Sequence, residues 1–209
     1  MALTIYGAPA SRTSRVLWLA KELGLKYDHV PVNNRNGDTR KPEHLKLNPN
    51  GHVPVIKDGD LILWESLAIN NYLAKKHGGP LAPANLEEEG KTTMWSMWAL
   101  TELEPPTVQM LMHTLFLPED KRSPAALAQA QEGAKAPLAV LEAQLGQSEY
   151  LLGNRFTVAD LNVSSVASTF GRVKYDISAY PKVSAWLQKC NARPAAAAVR
   201  EMQAAPQPA

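Results

Sequence analysis

The chain has 209 residues, 45% of them hydrophobic, and its dispersed charges sum to a formal +2. That length suits one large or two modest domains, each able to bury a core. No Lys/Arg block is dense enough to follow a nucleic-acid backbone, and no apolar run approaches the roughly 18 residues of a membrane-spanning helix.

Residues 3–6 are short, apolar and partly β-branched and read as a strand, ended by Gly7-Ala8-Pro9-Ala10. Ser11 opens a helix in which Val16, Leu19, Ala20 and Leu23 share one face at i, i+3, i+4, i+7 spacing, with Gly24 placed to end it. Residues 26–32 read as a second strand. Strand, helix and strand make a βαβ unit whose strands pair in parallel. Residues 33–41 are polar and read as a loop, and 42–47 as a short helix. Residues 53–57 and 61–63 read as strands on either side of Asp58-Gly59-Asp60, a hairpin signal. Residues 65–77 read as a helix with Leu67, Ala68, Ile69, Tyr72 and Leu73 inward, stopped by Gly78-Gly79-Pro80.

After Pro80 the pattern changes. Residues 81–86 read as a linker, and no strand is evident from Glu87 onward. Residues 87–117 are helical and interrupted at Pro105-Pro106, which lack backbone donors. Residues 125–145, 157–172, 181–191 and 195–202 read as further helices, and the final Ala-Pro-Gln-Pro-Ala is expected to fray. Thr157 caps its helix with Asp160 at N3, and Phe156 and Leu161 stand at the two positions of a hydrophobic staple. The chain therefore divides into an α/β domain, 1–80, and an all-helical domain, 87–209.

Three places invite chemistry. In Asn48-Pro49-Asn50-Gly51-His52-Val53-Pro54, the proline pushes Val53 to an extended conformation and cannot donate to a ladder. With a cis Val53–Pro54 bond the N–H and C=O of Val53 point outward, and such a pair binds a peptide by adding a short strand. The plainer reading is a turn before the hairpin. Glu65-Ser66 opens a helix whose free N–H groups suit a carboxylate, with Ser66 donating to it and Glu65 accepting from a neighbouring amino group. The plainer reading is a helix cap. Ser11, among Arg12, Ser14 and Arg15, offers a hydroxyl and a positive helix end to an anion such as a thiolate. It too reads as a cap. No G-x-S-x-G is present. His29, His44, His52, His77 and His113 are scattered without metal-ligand spacing, so no metal is expected. Cys190, the only cysteine, sits in an amphipathic helical pattern and reads as a packing thiol. With no basic segment followed by a long apolar stretch at the N-terminus, no signal peptide is expected, which fits a reducing cytoplasm.

In their order and spacing these segments resemble the glutathione transferase family. Residues 6–16, Tyr6-Gly7-Ala8-Pro9-Ala10-Ser11 onward, resemble its active-site turn and first helix. Asn48 to Pro54 resembles its cis-proline loop, and Glu65-Ser66-Leu67-Ala68-Ile69 its glutathione-gripping helix start. Phe156 to Asp160 resembles its second-domain capping motif. Tyr180-Pro181-Lys182, Trp186 and Ala192-Arg193-Pro194 resemble its terminal helices. The resemblance implies a thioredoxin-like N-terminal domain binding glutathione, a helical C-terminal domain supplying the electrophile pocket, and a homodimer. It implies that Ser11 bonds the glutathione sulfur, with Ser14 the runner-up. Val53, before Pro54, pairs with the cysteinyl backbone, and Glu65 and Ser66 hold the γ-glutamyl end. His52 stands at the glycyl end, assisted by Arg40 or Lys41. Because neither Tyr6 nor a cysteine occupies the catalytic position, the chain resembles a serine-type member.

The expected reaction is attack of the glutathione thiolate on a small, largely apolar electrophile, with glutathione as co-substrate and no metal. Two other readings stand: a glutathione-dependent disulfide reductase or peroxidase on the same site, and a non-catalytic fold relative that binds ligands or proteins. The set Ser11, His52, Glu65 and Ser66 argues against the last, since an interaction protein has no need of a complete ligand grip.

Overall fold

The structure is a computed structural model and describes residues 3–34 and 36–205. Residues 206–209, most of the segment expected to fray, lie outside it. The chain divides into two compact units, Met1–Ala82 with Arg193–Ala209, and Pro83–Ala192.

The first unit runs β1 (Leu3–Tyr6), α1 (Thr13–Glu22), β2 (Tyr27–Val30), α2 (Pro42–Leu45), β3 (Val55–Asp58), β4 (Leu61–Trp64) and α3 (Ser66–His77). The sheet order is β2-β1-β3-β4. The βαβ unit pairs β1 with β2 in parallel, as its connection length requires, and the hairpin adds β3 and β4 antiparallel. Ile5, Val55 and Ile56 are fully buried at its centre, each contributing about 1.5–3 kcal/mol by leaving water.

Helix α1 begins two residues later than the sequence suggests and is buried on more than the expected face. Arg15, Leu17 and Trp18 are buried along with Val16, Leu19 and Ala20. The cause is a helix from the far end of the chain. α3 packs on α1, and so does the C-terminal helix, Pro194–Ala204. Arg193 donates through Nε and Nη2 to the two carboxylate oxygens of Glu22, each at 2.7 Å. Trp18 Nε1 donates to the same carboxylate at 2.9 Å. A planar guanidinium matches a carboxylate in this two-bond form, which fixes geometry as well as adding energy. The sequence reading grouped this helix with the second domain, whereas its contacts group it with the first. In α3, Ala68 is exposed rather than inward, and Asn70 is fully buried instead, its Nδ2 donating to the Arg15 carbonyl at 3.3 Å.

The second unit holds α4 (Leu86–Trp98), α5 (Glu104–Leu111), α6 (Pro124–Gly133), α7 (Lys135–Leu145), α8 (Val158–Ala167), α9 (Thr169–Arg172) and α10 (Pro181–Asn191), which makes the terminal helix of the first unit α11. Pro105 and Pro106 sit at the start of α5, and the turn before it, Ala99–Leu103, is π-helical. There Glu104 N–H bonds back to Ala99 C=O, five residues away, so the prolines fall where helix donors are already rerouted. The single helix expected over 125–145 is broken at Ala134. Pro137 offers no N–H to the Gly133 carbonyl and its ring crowds that oxygen. Among the described residues the only β pairing in this unit is an isolated bridge, Tyr150 to Gly153.

The α8 capping box forms as expected. Thr157 Oγ1 accepts from Ala159 N–H at 3.3 Å, and Asp160 Oδ2 accepts from Thr157 N–H at 3.0 Å. Asp160 is fully buried and gathers three more donors: Thr157 Oγ1 at 3.0 Å, Leu151 N–H at 2.9 Å and Trp186 Nε1 at 3.0 Å. Burial pushes its carboxyl pKa up against the pull of these bonds. Among the described residues, no helix is long and apolar enough to cross a membrane.

Candidate active site

The site lies in the first unit, where three segments meet α1. Gly7, with φ +134°, ends β1, and a Cβ on it would lie 2.0 Å from Thr13 Oγ1 and 3.0 Å from Val53 Cβ. Only glycine lets these three strands of backbone and side chain approach so closely. His29 Nε2 donates to the Gly7 carbonyl at 2.8 Å and holds the turn from the β2 side.

Ser11 follows this turn and is half-buried. Its Oγ lies 2.7 Å from the Ala8 carbonyl and 2.9 Å from Thr13 Oγ1, and it accepts from Thr13 N–H at 3.1 Å. The cap residue of α1 is Arg12, without a side-chain cap bond, so Ser11 braces the turn before the helix and faces its start, where backbone donors and the helix dipole favour an anion. Ser14, the runner-up, turns its hydroxyl back to the Ser11 carbonyl at 2.9 Å.

The Val53–Pro54 bond is cis. Val53 lies outside β3, and among the described residues neither its N–H nor its C=O has a hydrogen-bond partner. Unpaired backbone groups at the end of a sheet accept an added strand. The loop before Val53 is held by its own side chains. His44 Nε2 and Asn48 Nδ2 both donate to the His52 carbonyl, at 2.9 and 3.0 Å. Because a carbonyl only accepts, the His44 proton resides on Nε2, and its buried Nδ1 has no partner. Arg40 Nη1 donates to the Asn50 carbonyl at 3.3 Å and lies across Gly51, where a Cβ would meet it at 2.7 Å. The structure thus brings Arg40 to the loop that carries His52, and both side chains are exposed.

Glu65 joins β4 to α3 with φ 75° and ψ 110°, and α3 has no side-chain cap bond. The plain capping reading of Glu65-Ser66 is therefore not what these side chains do. Ser66, 4% exposed, accepts from Arg15 Nη1 at 3.3 Å. Arg15, itself 8% exposed, ties the start of α3 to α1. So α1 links Val53, through Gly7 and Thr13, and Ser66, through Arg15, to the turn that carries Ser11. Arg15 stands among the residues expected around Ser11, whereas Thr13, His44 and Asn48 carry no expected role in the site. Thr13 falls two residues after Ser11, on the first turn of its helix, and that spacing is the one signal that points to it.

Residues 1–75 match the family model described as glutathione S-transferase, N-terminal domain, and residues 103–194 that described as glutathione S-transferase, C-terminal domain. The chain is 36% identical over 201 residues to glutathione S-transferase 4 of Zea mays, covering 93% of this chain and 90% of that one. It is 34% identical to glutathione S-transferase PARB of Nicotiana tabacum, covering 93% and 95%. Among solved structures, the theta class glutathione S-transferase of Xanthomonas axonopodis pv. citri, with glutathione bound, superposes with a TM-score of 0.88 at 30% identity, covering 98% of each chain. The fold is that of the thioredoxin-like transferases, an α/β unit and a helical unit in one chain. The chain belongs to the glutathione S-transferase family. It is an enzyme of the glutathione S-transferase type.

Proposed function

We propose that glutathione binds along the edge formed by Val53, Glu65 and Ser66, with its sulfur at Ser11. The single observation that carries this reading is the unpartnered N–H and C=O of Val53, one glycine away from the turn that holds Ser11. The cysteinyl backbone pairs with Val53 next to Pro54. The γ-glutamyl carboxylate takes the Ser66 hydroxyl and the free N–H groups of α3, and its ammonium takes Glu65. Arg40 and His52, with Lys41 beside them, supply positive charge and donors for the glycyl carboxylate. Ser11 donates to the thiolate and lowers the pKa of the thiol, and Ser14, bonded to the Ser11 carbonyl, is the weaker candidate. The sulfur lone pair then attacks the electrophilic carbon and the leaving group departs with its electrons, a step that needs a lowered thiol pKa and proximity. No metal is required. The electrophile is apolar and is held by the helical unit, whose Met97, Leu115 and Phe116 are exposed. We place the enzyme in the cytoplasm as a detoxifying homodimer. The exposed Leu61, Ile62 and Trp64 on the free edge strand β4 support self-association.

Titrating the thiolate absorbance of bound glutathione tests the site. The wild type is expected to lower the thiol pKa below its free value, and Ser11→Ala to return it most of the way. A bound thiol that titrates at its free value in the wild type overturns the role of Ser11. Turnover of an aryl halide against a disulfide substrate separates conjugation from reduction.

A further inference from the structure

Thr13 is the first residue of α1 and is fully buried. Its N–H donates to Ser11 Oγ at 3.1 Å, and its Oγ1 lies 2.9 Å from the same oxygen. Ser11 Oγ is also 2.7 Å from the Ala8 carbonyl. These contacts are settled by counting protons. The carbonyl can only accept, so the shortest contact takes the single Ser11 proton. The contact between the two hydroxyls must then carry the Thr13 proton, donated to Ser11. Among the described residues the Thr13 hydroxyl has no other hydrogen-bond partner, and it packs against the Gly7 backbone, where even a Cβ would collide with it. Ser11 Oγ thus accepts twice, from the N–H and the O–H of one residue, and both its lone pairs are occupied.

We propose that Thr13 is a positioning residue for Ser11. By filling both acceptor sites it leaves the Ser11 hydroxyl able only to donate, and donation into an oxygen strengthens the bond that oxygen's own proton makes. When a thiolate arrives, the Ser11 proton swings from the Ala8 carbonyl to the sulfur, and Thr13 keeps the oxygen in place. No proton is transferred between heavy atoms. The proposal rests on the reading of Ser11 as the partner of the glutathione sulfur.

The test is the thiolate titration on wild type, S11A, T13V, T13S and the S11A/T13V double variant, together with the affinity of each for S-methylglutathione, which has no thiol to ionise. Thr13→Val removes the hydroxyl at nearly constant shape. It is expected to raise the bound thiol pKa by about half a unit, roughly a three-fold loss of thiolate below that pKa. Affinity for S-methylglutathione stays unchanged, T13S restores the wild-type pKa, and T13V adds no further shift in the S11A background. A T13V titration equal to wild type overturns the proposal, as does a matching loss of S-methylglutathione affinity, which marks a purely structural role. If T13V does not fold, T13S against T13A reads the hydroxyl at a common loss of the methyl group, with the same expected shift. A wild-type thiol that is not shifted, or that S11A leaves unchanged, sinks the Ser11 reading itself. A shifted thiol that ignores Thr13 sinks this proposal alone.

Discussion

Glu65 holds a backbone conformation that residues with a side chain avoid, φ 75° and ψ 110°, at the junction of β4 and α3. Such positions cost about 1–3 kcal/mol and persist where the side chain is needed. Glycine would relieve that strain, so Glu65→Gly is expected to raise the urea midpoint slightly while weakening glutathione binding about ten-fold, as loss of a charge-assisted hydrogen bond does. A variant that gains stability and binds as well as wild type would remove Glu65 from the site. At this scale Ser11, Val53 and Ser66 were legible because helix starts and X-Pro pairs leave marks in the sequence. Thr13 and Asn70 were not, nor was the burial of Arg15. Their burial is decided by what packs over them, and a buried arginine on a helix looks like a solvated one until its neighbours are known.

The same limit acts on elements. Existence and type of most helices and all four strands followed from periodicity and from glycine and proline punctuation. Breaks inside helices did not follow so simply. Pro137 divides 125–145 into α6 and α7 although the apolar pattern runs straight through it. The start of α8 was legible because a capping box is local, yet its reach was not. Asp160 also takes Leu151 N–H and the Trp186 indole, from segments 9 and 26 residues away. Asp160→Asn puts two N–H groups in a site built of donors and is expected to cost about 3 kcal/mol, read as a lower urea midpoint. Equal midpoints for wild type and variant would show that these four bonds to Asp160 add no net stability.

For the whole molecule, the sequence pattern changes after Pro80, and the chain's compact units divide between Ala82 and Pro83. Self-association belongs here as well. An apolar, unpaired edge strand invites aggregation unless something covers it. If that cover is a second copy, Ile62→Asp shifts the sedimentation of the protein from dimer to monomer at micromolar concentration. A wild type that sediments as a monomer rules the homodimer out. What the boundary did not reveal is that the first unit is discontinuous in sequence, closed by Arg193 on Glu22 and by α11 on α1. During synthesis, α1 leaves the ribosome before residues 83–192 are made, whereas α11, one of its packing partners, leaves after them. The first unit is therefore finished only after all of residues 83–192 have been made.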